Sequence, residues 1–313
     1  MSLSQHLDAF DGKPVEDWDP EAGSFDPAIV VYRVRLEYED AEEGKHWTDL
    51  FSTLAAQPGV EAMTGLVVGQ WASYARDAEH SADVVHAIIA ARDRLPALRA
   101  IFLGDILSEE NEISWIEQTD MAPLLAAYPR LETLGVRGGS GLGFRVTGHA
   151  HLKSLTIQSG GLSGAVVQDV LSADLPALEH LELWLGDPNY GGDAEAEDFA
   201  LLLDGTRFPK LRHLGLRDSF IADDLAAMLA RSPILERIRV LDLSLGALTD
   251  AGAQALLDSP AVARLEKLDL HHHFCSDEMV MRLKRLGIDV DVRDPQSPDD
   301  WDRFEGRYVS VAE

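Results

Sequence analysis

The chain has 313 residues, 46% hydrophobic and 26% charged, enough to bury a large core without a staple, and its one cysteine, Cys275, excludes an intrachain disulfide and a Cys-rich zinc site. Asp and Glu number 54 against 27 Lys and Arg, a net charge of −27, so phosphate backbones and anionic membranes would repel it. No stretch reaches the roughly 20 apolar residues of a membrane span, and the acidic start, Met1 to Pro20, has no signal-peptide pattern, which points to a soluble, cytoplasmic protein.

In chain order, IVVYRVRLEYED (29–40) alternates apolar and polar residues, a strand with Val30, Tyr32, Val34, Leu36 and Tyr38 on one side. HWTDLFSTLAAQPGV (46–60) follows as an amphipathic helix, and together they read as a cap. Then a pattern recurs: an apolar residue, two others, an apolar residue, one other, an apolar residue. A weak copy is Met63, Leu66, Val68. Clear copies begin at Leu98, Leu131, Leu152, Leu178, Leu211, Ile238 and Leu265, with spacings of 33, 21, 26, 33, 27 and 27 residues. Val290 and Val292 end the series. The last two apolar positions of a copy lie two apart, so in a strand they share one face and point to a core.

Segments of helical period separate the strands: Val84, Val85, Ile88 and Ile89 share a side, as do Leu225, Met228 and Leu229, and Ala253, Leu256 and Leu257. Thr249 and Ser276 are N-cap candidates, with Asp250 and Asp277 in the first turns. Pro96, Pro129, Pro176, Pro209, Pro233 and Pro260 stop the connecting segments before each next strand. No such unit buries its apolar side alone, so the units stack.

These copies resemble a leucine-rich repeat array of the ribonuclease-inhibitor-like type over residues 60–293, closest in ALTDAGAQALLDSP (247–260) through Leu248, Gly252, Ala255 and Leu256. The resemblance implies an α/β fold: a right-handed horseshoe solenoid with parallel strands on the concave face and helices on the convex face. The family's ninth-position asparagine is replaced by Trp71, Ile106, Gly139, Gly160, Gly186, Ser219, Gly246 and His273, so no asparagine ladder can form. The HLDAFDGKPVEDWDP opening and RYVSVAE ending are similar to those of bacterial leucine-rich repeat proteins, which implies no particular activity. The expected organisation is one structural domain: a cap at 1–59, about eight or nine repeats over 60–293, and an acidic tail at 294–313. That tail, with Trp301, Phe304 and Tyr308, either trails in solvent or packs back as a lid.

Catalytic motifs are weak. In an extended strand, His271 and His273 would share a face with Asp269, a donor set that could hold zinc, but a turn of solvent-exposed histidines is the simpler reading. GGSGLG (138–143) lacks the lysine of a phosphate-binding loop and reads as a flexible turn. Glu109 and Glu110 read as solvated charges, and Cys275 as a buried, inert thiol. No cofactor is called for.

The residue between the two inward positions faces the concave side. That column is Val67, Phe102, Gly135, Thr156, Glu182, Gly215, Asp242, Asp269 and Asp291, uncharged at first and acidic in four of the last five. Flanking columns add His180, Trp184, His213, Arg217, Lys267, His271, Asp289 and Arg293, and the insertion GDPNYGGDAEAED carries Tyr190. The expected function is a protein-interaction module that holds a basic protein or peptide, not nucleic acid, on this face through Phe102, Glu182, Trp184, Tyr190, Arg217, Asp242, Asp269, His271 and Asp291. Trp184 is expected as an exposed aromatic anchor, and the aspartates as an electrostatic strip that Lys267, Arg293 and Arg217 partly neutralise. The alternative is an enzyme with a metal or acid–base site near His271–His273.

Overall fold

A computed structural model describes residues 3–37, 39–40, 43–71, 79–298 and 306–312. Twelve strands form one sheet in strict chain order. The first two, β1 (Ala9–Phe10) and β2 (Lys13–Asp17), form an antiparallel hairpin. From β2 onward every pairing is parallel: β3 (Val31–Val34), β4 (Gly65–Val68), β5 (Ala100–Leu103), β6 (Thr133–Arg137), β7 (Ser154–Gln158), β8 (His180–Gly186), β9 (His213–Ser219), β10 (Val240–Asp242), β11 (Lys267–Asp269) and β12 (Asp289–Asp291). Parallel neighbours need a crossover, and the segments of helical period supply it. They include α1 (Trp47–Ala55), α2 (Ser81–Ala90), α3 (Ala122–Ala127), α4 (Gly164–Ser172), α5 (Ala200–Leu203), α6 (Ala222–Leu229), α7 (Asp250–Leu257) and α8 (Asp277–Leu283). This is the horseshoe solenoid the repeats imply.

The register is set by the leucines. Leu181 pairs with Leu214, Leu214 with Leu241, and Leu241 with Leu268, so equivalent positions stack into continuous rows. All four are fully buried in one core that runs from Trp18 to Val292. The predicted caps form as well: the Thr249 hydroxyl accepts from the Ala251 N–H, and the Ser276 hydroxyl from the Met279 N–H.

Close backbone stacking joins successive turns where an asparagine ladder is missing. The Asp187 N–H donates to the Gly160 carbonyl at 2.7 Å, and the Ala247 N–H to the Ser219 carbonyl at 2.9 Å. Gly186 has φ +71°, and a Cβ there would collide with the Gly160 carbonyl, so this contact needs glycine. The GGSGLG segment is likewise tied down, with Ser140 bridged to Glu117 and Gly143 to Asp120.

The first repeat-like strand departs from expectation, and the tail takes one of the two courses open to it. The strand at 29–40 is only Val31–Val34, with both faces buried, and it pairs with β4 in repeat register, Tyr32 beside Leu66 and Val34 beside Val68. Tyr38 lies outside the described residues. In addition, residues 306–312 pack back onto the repeats. The Tyr308 hydroxyl donates to Gln296 at 2.7 Å, its ring lies edge-on to Phe274, and Val309 is buried. The Ser310 N–H then bonds the Leu245 carbonyl, and the Val311 N–H the Asp218 carboxylate. Trp301 and Phe304 lie outside the described residues.

Leu214 sits mid-row with leucines on both sides. Leu214→Ala should lower the unfolding free energy by about 2–5 kcal/mol in denaturant melts. A loss below about 1 kcal/mol would contradict the stacked-row account.

Candidate concave binding groove

Strand alternation places the column Val67, Phe102, Gly135, Thr156, Glu182, Gly215 opposite the core rows, as expected. Its first part is not open. Leu7, Val31, Val67 and Phe102 form a second buried apolar cluster, with Phe10 and Val15 against it. Phe102 is 4% exposed, so it serves as the seat of the hairpin and not as a partner anchor. Its ring meets Phe10 edge-on at 6.0 Å, and it lies over Gly135, where any Cβ would collide with it.

A buried ion network locks this cover. The Leu7 N–H donates to Asp105 at 3.1 Å, and Arg33 bridges Asp105 at 2.9 Å and the Leu7 carbonyl at 3.1 Å. Burial raises the Asp105 pKa, but hydrogen bonding to His6 and the charges of Arg137 and Arg33 outweigh it and leave the carboxyl below its usual value. Glu110, expected in solvent, is partly buried against Arg35 at 3.0 Å.

Beyond the hairpin lies a groove of about 440 Å³, bordered by Leu7, Phe10 and Gly12, floored by Gly135, Thr156 and Glu182, and closed by His180 and Arg217. Strands β8 and β9 put His180 directly beside His213, their rings stacked 4.0 Å apart at 19°. Glu182 accepts from the Trp184 indole N–H at 2.7 Å and from Arg217 at 3.0 Å, both on Oε1, while Oε2 lies 3.6 Å from His180 Nε2. Burial works against ionisation of Glu182, yet hydrogen bonding to His180, the Arg217 charge and the Trp184 N–H bring its pKa to about 2. Burial and then the neighbouring His180 push His213 down to about 4.

Trp184 is on the predicted face but fully buried, with the Arg217 guanidinium 5.0 Å from its ring centroid. The expectation of an exposed anchor is therefore overturned; Trp184 positions Glu182 instead. Tyr190 is partly buried in the turn Pro188–Tyr190, where its backbone packs on Gly161.

The aspartates do form a row, Asp242 beside Asp269 and Asp269 beside Asp291. As expected, the row is interleaved with bases. Arg217 reaches Asp242 at 3.3 Å, Lys267 and His271 reach Asp269 at 2.8 and 2.7 Å, and Arg293 reaches Asp291 at 2.6 Å. Burial raises the Asp242 pKa despite Arg217. For Asp269 the hydrogen bonds from His271 and Lys267 overcome burial and hold the carboxyl far below its usual range, and the Arg293 hydrogen bond lowers Asp291.

The histidine run also differs from expectation. His272 and His273 are buried, and His272 has φ +58°, which breaks the strand. His273 spends both ring nitrogens internally, Nε2 against the Val292 carbonyl and Nδ1 accepting from the Cys275 N–H. It therefore does not join His271 and Asp269; the residues gathered there are Asp269, His271 and Asp291. Cys275 is buried, and burial takes its pKa to about 12.

The whole solenoid can be set beside a crystal structure of a Bacteroides fragilis protein from a structural-genomics consortium: TM-score 0.81, 33% sequence identity, 90% of this chain covered and 77% of that one. This chain belongs to that protein's family and is a leucine-rich repeat protein. An internalin from Listeria monocytogenes matches the repeat protein at TM-score 0.43 and 15% identity, over 78% of this chain and 57% of that one. No protein-family profile and no curated protein match it. Among the described residues, no helix of the repeat protein is long and apolar enough to cross a membrane.

His213 gives a pH signature. An unfolded histidine titrates near 6.5. Between that value and about 4, the unfolded chain holds a proton at His213 that the folded chain does not. Stability should therefore fall as pH falls through this window. In chelator-treated protein, His213→Gln should flatten the decline of Tm between pH 6.5 and 4.5, a range above the Glu182 transition. An unchanged slope would contradict the burial assigned to His213.

Proposed function

We propose that this protein is a protein-interaction module that seats an extended segment of a basic partner along the concave face. The observation that carries this reading is the layout of that face: a groove bordered by the Leu7–Gly12 hairpin and ending at Glu182 and Arg217, with the row Asp242, Asp269, Asp291 on the strands that follow. Leucine-rich repeat folds typically serve as interaction scaffolds, and solenoids present extended concave surfaces to partners. The contacting residues in this reading are Glu182, Arg217, Asp242, Asp269, His271 and Asp291, while Phe102 and Trp184 support the floor from beneath.

The interleaved bases fit such a role. Arg293 is 83% exposed on its side chain, and an ion pair held by so exposed a base is worth little. An incoming lysine or arginine can therefore replace Arg293 at Asp291 with small loss. The surplus of 54 acidic over 27 basic residues adds a long-range field that draws basic segments in. The convergence of His180, Glu182 and Arg217 at the groove, with His213 beside them, favours an enzyme instead.

A peptide-display selection against the purified protein tests the reading. The selected sequences should be enriched in Lys and Arg. Their association should slow about tenfold or more in an Asp269→Asn, Asp291→Asn variant and at high salt. Neutral or apolar winners, or association indifferent to both changes, would contradict it.

A further inference from the structure

The grouping His180, Glu182 and His213 has a chemistry that protein binding does not require. His180 and Glu182 are two apart on β8 and share its concave face, while His213 is His180's register partner on β9. One ligand atom from each lies within 4.8 Å of the others. Glu182 divides its oxygens by task. Trp184 and Arg217 hold Oε1, and Oε2 is left facing the histidines. His213 Nε2 is buried and has no hydrogen-bond partner, an arrangement that folding alone does not reward. The register partner of Glu182 is Gly215, so no side chain stands opposite the carboxylate on β9.

We propose that His180, Glu182 and His213 form a mononuclear site for a divalent transition-metal ion of the zinc class, with its open coordination position toward the groove. Two imidazoles and one carboxylate are a donor set such ions take with three protein ligands. Bond lengths near 2.1 Å put tetrahedral donors roughly 3.4 Å apart, and His180 Nε2 to Glu182 Oε2 is already 3.6 Å. The imidazoles stack 4.0 Å apart at 19°, so both rings must rotate out of the stack before their in-plane lone pairs meet at one ion. The charge is also suitable. Arg217 stands between Glu182 and Asp242, at 3.0 and 3.3 Å, so two carboxylates flank one guanidinium and leave a local surplus of negative charge. Trp184 and Arg217 then act as outer-shell positioning residues for the carboxylate. The second grouping, Asp269, His271 and Asp291, lacks this character because Lys267 and Arg293 already occupy its carboxylates.

This site stands or falls independently of the partner proposed above. The test uses the whole chain, stripped with chelator and titrated with Zn²⁺ alone by calorimetry. The parent should bind one ion, and cobalt(II) should give the strong visible absorption of a four-coordinate site. Glu182→Gln and His213→Ala should each weaken binding by about 100-fold or more, and Trp184→Phe by about tenfold. His271→Ala should change nothing. Because a substitution could disturb the strands, a second readout uses the parent chain: Zn²⁺ should protect the more exposed His180, but not His151, from a histidine-acylating reagent. No stoichiometric binding by the parent, binding that survives His180→Ala with His213→Ala, or equal acylation with and without Zn²⁺ would overturn the proposal.

Discussion

No strand-plus-crossover unit of this chain can bury its own leucines; each needs the unit before and after it. That constraint forces parallel, in-register stacking, with Leu181, Leu214, Leu241 and Leu268 in one row. Once the core rows are aligned, the outward residues between them are aligned as well. Carboxylates at equivalent positions of neighbouring strands must then sit side by side, as Asp242, Asp269 and Asp291 do. Bases two residues away along the chain, such as Lys267 and Arg293, or on the adjoining strand, such as Arg217, relieve the repulsion. The mixed charge of the concave face is thus a consequence of the core's register.

Segments outside the regular repeats pack onto this frame. Residues 3–17 cover the early columns of the concave face, held by Phe102 below and by the Arg33–Asp105–Arg137 network at the side. Residues 306–312 run along the later turns from Gln296 past Leu245 to Asp218. Asp218 is fully buried, with burial pushing its pKa well above the usual value, and its Oδ1 accepts the Val311 N–H. Each segment is therefore secured through a buried carboxylate.

The strands, their order and the core leucines were legible in the sequence because a repeated period of two within a period near 27 has one physical solution. The N-caps Thr249 and Ser276 were legible for the same local reason. The covering of the concave face was not. Nothing in Phe102 or Trp184 alone distinguishes an exposed aromatic from one buried under a distant segment, and the cover over Phe102 comes from residues about 90 positions earlier. The His–Glu–His grouping was half visible: His180, Glu182 and His213 were each assigned to the concave columns, but only the strand register puts them together. Conversely, His271 and His273 looked like a pair only while the strand was assumed to continue. His272, at φ +58°, breaks it and turns His273 inward.

Residues before the repeats thus cover the early columns of the concave face, and residues 306–312 are tied to the later turns beside it. Amide hydrogen exchange of the isolated protein tests it most directly, at the N–H groups of Leu7 and Val311, which donate to Asp105 and Asp218. The account predicts that both exchange slowly, with protection comparable to the neighbouring strand amides. Exchange of both at the rate of an unstructured chain, while the strands stay protected, would contradict it.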